Sequence, residues 1–182
     1  SPYGCSKGAA DQYMLDYRRI YGLRTIVFRQ SCIYGPRQMG LEDQGWVAWF
    51  AICAVLGRPI TIYGDGKQVR DILYIDDLVD LYFKAVEVEP DLKTFVFNVG
   101  GGSAQAVSLL EVIRLLEEEL GHPIEVQFSK WRPGDQRVYV SDIRTAHETF
   151  QWNPKVLSKE GITALIKWIE GNRNLLEHLT AP

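Results

Sequence analysis

No run of eighteen apolar residues occurs anywhere in the 182 residues, so no transmembrane helix is expected. No apolar leader follows a basic opening, and no signal peptide is read. Cysteine is scarce: Cys5, Cys32 and Cys53 are an odd number with no Cys-x-x-Cys, which suits a reducing, cytoplasmic setting and supplies no thiolate metal site. His122, His147 and His178 are scattered, so a histidine zinc site is not expected, and the metal expectation is none. Positive charge is not in excess. The net charge of -3 leaves no basic footprint for nucleic acid. A Gly-x-Gly-x-x-Gly fingerprint is also missing. Neither Gly64-Asp65-Gly66 nor Gly100-Gly101-Gly102 has the spacing that sets a pyrophosphate on a helix N-terminus. There is no internal repeat and no low-complexity segment.

What is present is the composition of an ordinary globular chain, 46% hydrophobic and 24% charged, with length for one domain or slightly more. Tyr3 and Lys7 stand four apart at the start of a helical pattern, which puts phenol and ammonium on one face, one turn apart. A cation beside a phenol favours the phenolate, and a phenolate can take the proton of a substrate hydroxyl. That is half of an alcohol oxidation; the other half needs a hydride acceptor. A solvated Tyr–Lys helix pair is the plainer reading of these two residues taken alone.

The chain alternates helical and extended patterns, an α/β signature. Residues 3–21 read as a helix stopped by Gly22, and Leu23–Phe28 as a buried strand of a parallel sheet. Residues 29–37 read as the loop leaving that strand. Open α/β sheets bind ligands beyond the carboxyl ends of their strands. An apolar helix is expected from Trp46 to about Gly57, and a strand within Pro59–Gly64. Asp76 or Asp77 is the expected cap of a helix running to about Val88, followed by a loop at Glu89-Pro90-Asp91 and a strand at Thr94–Asn98. Ser108 and Glu111 have capping-box spacing at the head of a helix ended by Gly121. A strand at Ile124–Phe128, a helix capped by Ser141-Asp142 and a helix to about Glu170 complete the pattern. The last ten residues are expected to fray.

The segment Ser1-Pro2-Tyr3-Gly4-Cys5-Ser6-Lys7-Gly8 resembles the active-site helix of the extended short-chain dehydrogenases/reductases, the NAD-dependent nucleotide-sugar epimerases and dehydratases. The resemblance covers roughly residues 1–172, with six motifs in the family's order. It implies the C-terminal part of a Rossmann-like doubly wound parallel sheet plus a small α/β substrate-binding domain. Residues 1–40 would be the last part of the NAD-binding domain. Residues 41–182 would be mainly the nucleotide-sugar-binding domain, with some segments returning to the sheet.

By the same resemblance Tyr3 is the acid/base, and Tyr3 and Lys7 also hold NAD, with Gln30 and Ser31 beside the nicotinamide. Cys32 matches a substrate-facing position at which many relatives carry Asn. A thiol cannot reproduce an amide's hydrogen bonds, and a small packing residue is the other reading. Gly45 and Trp46 match positions that hold the nucleotide, and Thr61 and Tyr63 positions that touch its base. Arg70, in a run resembling the family's Arg-Asp-x-x-Tyr-x-x-Asp element, would take the diphosphate, since a guanidinium fork matches phosphate oxygens. Asn98 would lie near the substrate. Arg132 would bind phosphate and Asp135 the ribose hydroxyls, with Arg137 and Tyr139 completing the wall. The Asp43-Gln44-Gly45-Trp46-Val47 run is most similar to CDP-tyvelose 2-epimerases, which favours a CDP-sugar. The implied reaction is transient oxidation of a sugar hydroxyl and re-reduction. A 4,6-dehydratase, a 4-epimerase, a decarboxylase and a non-catalytic nucleotide-binding fragment stay open. The family's upstream half is not recognised in this sequence, so the 182 residues alone are expected to be inactive. The family also implies a homodimer or higher homo-oligomer through the Tyr3–Lys7 helix, which carries Tyr13, Tyr17 and Tyr21.

Overall fold

The computed structural model describes residues 2–88 and 94–179. Ser1, the Glu89-Pro90-Asp91 loop and residues 180–182 lie outside the described residues. Seven α-helices and eight strands are described: α1 Pro2–Tyr21, β1 Val27–Gln30, β2 Cys32–Tyr34, α2 Trp46–Val55, β3 Ile60–Tyr63, β4 Val69–Tyr74 and α3 Ile75–Glu87. Then come β5 Val96–Val99, a short 3-10 helix Ser103–Gln105, β6 Ala106–Ser108, α4 Leu109–Leu120, β7 Val126–Ser129, β8 Val138–Tyr139, α5 Arg144–Phe150, α6 Ser158–Gly171 and α7 Arg173–Leu176. The α/β class is as expected, and most strand pairs are parallel.

Three small sheets carry the strands. β1 pairs in parallel with β5, and β3 with β7. β4 is the hub of the third: parallel to β2 and β8, antiparallel to β6. The extended chain from Val27 to Tyr34 therefore changes sheets at Ser31, whose N–H donates to the Val99 carbonyl at 2.8 Å. This corrects the expected strand at 23–28 and the expected loop at 29–37. Leu23 is exposed, and Thr25 turns its hydroxyl back to the Met14 carbonyl at 2.9 Å, so pairing with β5 begins only at Val27. Gln30 and Cys32 thus sit on strands, held more firmly than loop residues.

Nine consecutive residues of α2, Val47–Val55, are buried, which is what a helix apolar on all sides requires. α2 packs against α4 and α6 around Ile52, Leu116, Leu165 and Ile169. A second core gathers Leu73, Leu81, Phe97, Phe150 and Trp152 between β5, α3 and α5. There the Phe97 and Phe150 rings meet edge-on at 4.7 Å.

The helix ends divide into local and non-local cases. The capping box of α4 is as expected: Glu111 N–H donates to Ser108 Oγ at 3.2 Å, and Ser108 N–H to Glu111 Oε2 at 2.6 Å. α3 differs, because its cap is Tyr74 and no side chain caps it. Asp77 is buried and accepts instead from the N–H groups of Lys155 and Val156, both at 3.0 Å, while Trp152 Nε1 donates to the Asp77 carbonyl. α5 starts at Arg144 rather than after a Ser141 cap. Asp142 does accept from the Arg144 N–H, but Ser141 is buried with its hydroxyl unpaired among the described residues. The expected fraying of the last ten residues is also corrected for those described, 173–179. Leu176 of α7 is fully buried, and the Arg58 guanidinium donates to the carbonyls of Glu177 and Leu179.

α6 meets the β2–β4 sheet at Gly161. An added Cβ there would collide with the Tyr34 hydroxyl and the Tyr74 ring. Both tyrosines are buried and their rings pack edge-on, so neither has room to withdraw. Gly161→Ala is expected to cost ~1–3 kcal/mol, the usual range for overpacking a core. Urea unfolding checks this as a lower midpoint at unchanged slope; an unchanged midpoint would mean that the contact yields freely.

Candidate active site

Two cavities flank the crossover at Ser31. The first, about 610 Å³, is lined by α1 and β1, including Tyr3, Lys7, Asp11, Arg29 and Gln30. The second, about 560 Å³, is lined by Cys32, Glu42, Asp43, Gly45, Trp46, Phe50, Thr61, Tyr63, Gln68, Arg70, Leu109 and Arg132–Asp135. Gln30 borders one and Cys32 the other, so a single residue separates them in the chain.

In the first cavity Lys7 Nζ lies 5.5 Å from the Tyr3 ring centroid, the one-turn neighbour relation expected from the spacing. α1 buries no residue, and Tyr3 is 62% exposed. The helix is fastened to β1 by the Arg29–Asp11 ion pair at 2.6 Å and by the Thr25 hydrogen bond. Gln30 Nε2 donates to the Tyr82 hydroxyl. Phenol, ammonium and carboxamide are a donor set that suits a ribose and an amide-bearing ring, so the residues present fit the nicotinamide end of NAD. Ser31 faces elsewhere: its Oγ donates to the Asp71 carboxylate at 2.6 Å and accompanies the Asp71 carbonyl at 2.8 Å. Asp71 is fully buried and also accepts from the Gly102 N–H at 3.2 Å. It ties the crossover to the loop after β5, which explains its place beside Arg70 without a surface pairing.

The second cavity is built from four separate parts of the chain. β4 supplies Arg70, β3 supplies Thr61 and Tyr63, the entrance to α2 supplies Gly45 and Trp46, and the segment after β7 supplies Arg132 and Asp135. Gly45 has a left-handed φ of 77°, and a Cβ would press on the Gln38 side chain at 3.0 Å, so glycine lets the chain turn into α2 here. Arg70 Nη2 donates to Asp135 Oδ1 at 2.8 Å and to the Gln136 carbonyl at 2.6 Å. Arg132 pairs with Asp43 at 2.8 Å and lies over the Tyr63 ring, 4.1 Å from its centroid. Trp46 Nε1 donates to Cys32 Sγ at 3.2 Å. Burial pushes the Cys32 thiol above its ordinary pKa, against the opposing pull of the Trp46 hydrogen bond and Arg70, so Cys32 presents a neutral thiol.

Of the residues expected in the nucleotide site, Cys32, Gly45, Trp46, Thr61, Tyr63, Arg70, Arg132 and Asp135 line this one cleft. Three do not. Asn98 is exposed on β5 opposite Arg29, on the sheet that lost contact with the cleft at Ser31. Arg137 reaches the Trp131 ring at 5.1 Å, and Tyr139 pairs on β8 beside Arg70. Glu42, Asp43, Gln68, Phe50 and Leu109 line the cleft without having been singled out. Glu42 stood next to the Asp43-Gln44-Gly45-Trp46-Val47 run, Asp43 opened that run, and Gln68 opened the Arg70 run. Their side-chain directions carry no local signal.

Residues 1–100 match the family described as the NAD dependent epimerase/dehydratase family, and the chain belongs to it. It is 47% identical over 175 residues to the CDP-paratose 2-epimerase of Salmonella typhi, covering 92% of this chain and 51% of that protein. Among solved structures, the UDP-glucose 4-epimerase of Thermotoga maritima with UDP-glucose superposes with a TM-score of 0.85 at 34% identity, covering 95% of this chain and 54% of that one. The UDP-glucuronic acid 4-epimerase of Bacillus cereus, in complex with UDP-glucuronic acid and NAD, gives 0.82 at 30%, covering 94% and 53%. The chain spans about half the length of the curated relatives it matches.

Proposed function

We propose that this chain supplies the acid–base pair and the nucleotide-sugar cleft of an NAD-dependent CDP-sugar 2-epimerase. The observation that carries the reading is convergence. Arg70 and Arg132, from distant segments, line one cleft, and Cys32 at its edge is two residues from Gln30 in the Tyr3–Lys7 cavity. A diphosphate would exchange for the carboxylates of Asp135 and Asp43 on the two guanidinium groups, since charge-assisted forks to phosphate are strong hydrogen bonds. The sugar would then extend past Trp46 and Cys32 toward Tyr3. Tyr3 takes the hydroxyl proton as the C–H hydride departs, and returns it after the keto sugar has presented its other face. Lys7, one turn from Tyr3, holds the cofactor ribose. NAD, when bound, supplies the hydride acceptor and donor. The name of the Salmonella typhi relative and the Asp43–Val47 run both favour cytidine and C2.

Residues 1–40 serve as the end of an NAD-binding domain and 41–182 as mainly the nucleotide-sugar domain. The exposed Tyr13, Tyr17 and Tyr21 on α1 suit a homo-oligomer, and a cytoplasmic setting suits the substrate class. With no Gly-x-Gly-x-x-Gly among the 182 residues, these residues by themselves bind nucleotide sugar without turning it over. The test is a calorimetric screen of CDP-, UDP-, GDP- and dTDP-sugars with a parallel turnover assay by NMR. CDP-sugar binding with no epimerised product from the 182 residues is the expected result. Absence of binding by all four, or epimerisation by a verified 182-residue chain, overturns the corresponding half of the reading.

A further inference from the structure

Three carboxylates line the nucleotide cleft: Glu42, Asp43 and Asp135. Asp135 is neutralised by Arg70 and Asp43 by Arg132. Glu42 is different. Among the described residues it makes no ion pair, although Arg132 passes within 3.4 Å of its carbonyl. Its side chain is fixed all the same, because the Tyr63 hydroxyl donates to Oε1 at 2.8 Å. Tyr63 is itself held from above by the Arg132 guanidinium and anchored on β3. The result is a positioned carboxylate whose second oxygen takes no hydrogen bond from a described residue. It stands beside Thr61 and Tyr63, in a cleft read above as taking an anionic ligand.

An uncompensated carboxylate in such a place penalises the diphosphate unless the ligand brings a hydrogen-bond donor to it. The bases differ here. Cytosine presents an exocyclic amino group, a donor that carboxylate side chains accept from, where uracil and thymine present a carbonyl oxygen. A carboxylate facing that oxygen places two acceptors together. We infer that Glu42 selects the nucleotide base, accepting from the cytosine amino group and rejecting uracil through its carbonyl. The inference rests on the nucleotide-sugar reading of the cleft. It assigns Tyr63 the role of orienting Glu42, and it predicts that Asp43, already matched by Arg132, has no part in base choice.

The test measures CDP and UDP affinities by calorimetry on the full chain, for the native protein, Glu42→Gln and Asp43→Asn, with GDP as a third probe. One well-placed pair to a base edge discriminates by about tenfold or more, so the native protein is expected to favour CDP over UDP by at least about that factor. A glutamine amide accepts from cytosine with its oxygen and donates to uracil with its nitrogen. Glu42→Gln is therefore expected to bring the CDP:UDP ratio close to one, mainly by gaining UDP. Asp43→Asn is expected to shift both affinities together and leave the ratio alone. A CDP preference that survives in Glu42→Gln overturns the inference and leaves the nucleotide-sugar reading standing. So does a native protein that binds UDP as tightly as CDP. A native protein that binds none of the three overturns the underlying reading and the inference with it. Thermal melts of both variants exclude unfolding as the cause of any loss.

Discussion

Tyr3→Phe is expected to lower turnover by ~10²–10⁴-fold, the usual contribution of a positioned general acid or base. The substitution keeps the ring and removes only the hydroxyl. Tyr3 is exposed on α1 and borders the same cavity as Lys7 and Gln30, so nothing in the core depends on it. The loss should therefore fall on kcat, with the KM for nucleotide sugar and the affinity for NAD little changed. Lys7, one turn away, keeps its place beside the ring. The measurement belongs in a form of the protein that turns over. A near-normal rate for Tyr3→Phe removes Tyr3 from the chemistry. A loss confined to KM would assign the hydroxyl to binding instead.

The second large effect is expected on binding. Arg70 is mostly buried at the base of the cleft, and its fork is already oriented by the Val69 and Gln136 carbonyls. A preorganised guanidinium loses little freedom when it takes a phosphate. Hydrogen bonds to charged groups are worth ~1.5–3 kcal/mol. At ~1.4 kcal/mol per tenfold, Arg70→Ala should weaken nucleotide-sugar binding by about ten- to a hundredfold. Its removal also leaves the Asp135 carboxylate without its cation, facing the incoming diphosphate, which pushes the effect toward the upper end. Arg70→Lys should recover only part of the affinity, because an ammonium lacks the planar fork that offers paired N–H groups to a phosphate. Titration calorimetry with a CDP-sugar decides it: equal affinity in the native protein and Arg70→Ala would mean that the diphosphate lies elsewhere. Arg132 is the internal comparison, since it is more exposed and stacked on Tyr63, so its loss should cost less.

By itself the sequence determined whatever depends on neighbours three or four residues away. The Tyr3–Lys7 pair falls on one helix face because helical geometry puts i and i+4 there, and the Ser108–Glu111 box closes for the same reason. The all-apolar stretch of α2 could only be buried. The ordered motifs, local in sequence, mark the family. Tertiary structure decided what depends on partners far along the chain. Ser31 reads as a cofactor contact in a local pattern, yet it bonds to Asp71, because the strand changes sheets there and brings β4 alongside. Asp77 reads as a helix cap, yet it holds the Lys155–Val156 turn. Leu176 lies in a polar tail that nonetheless packs into the core, and the two- and three-residue strands β8 and β6 exist only because β4 offers them unpaired backbone. The cleft belongs to this second class. Which carboxylate meets which arginine, and that Glu42 meets none among the described residues, follows from where four distant segments come together. Hydrogen bonds and ion pairs act over a few ångströms of space, whatever the distance along the chain.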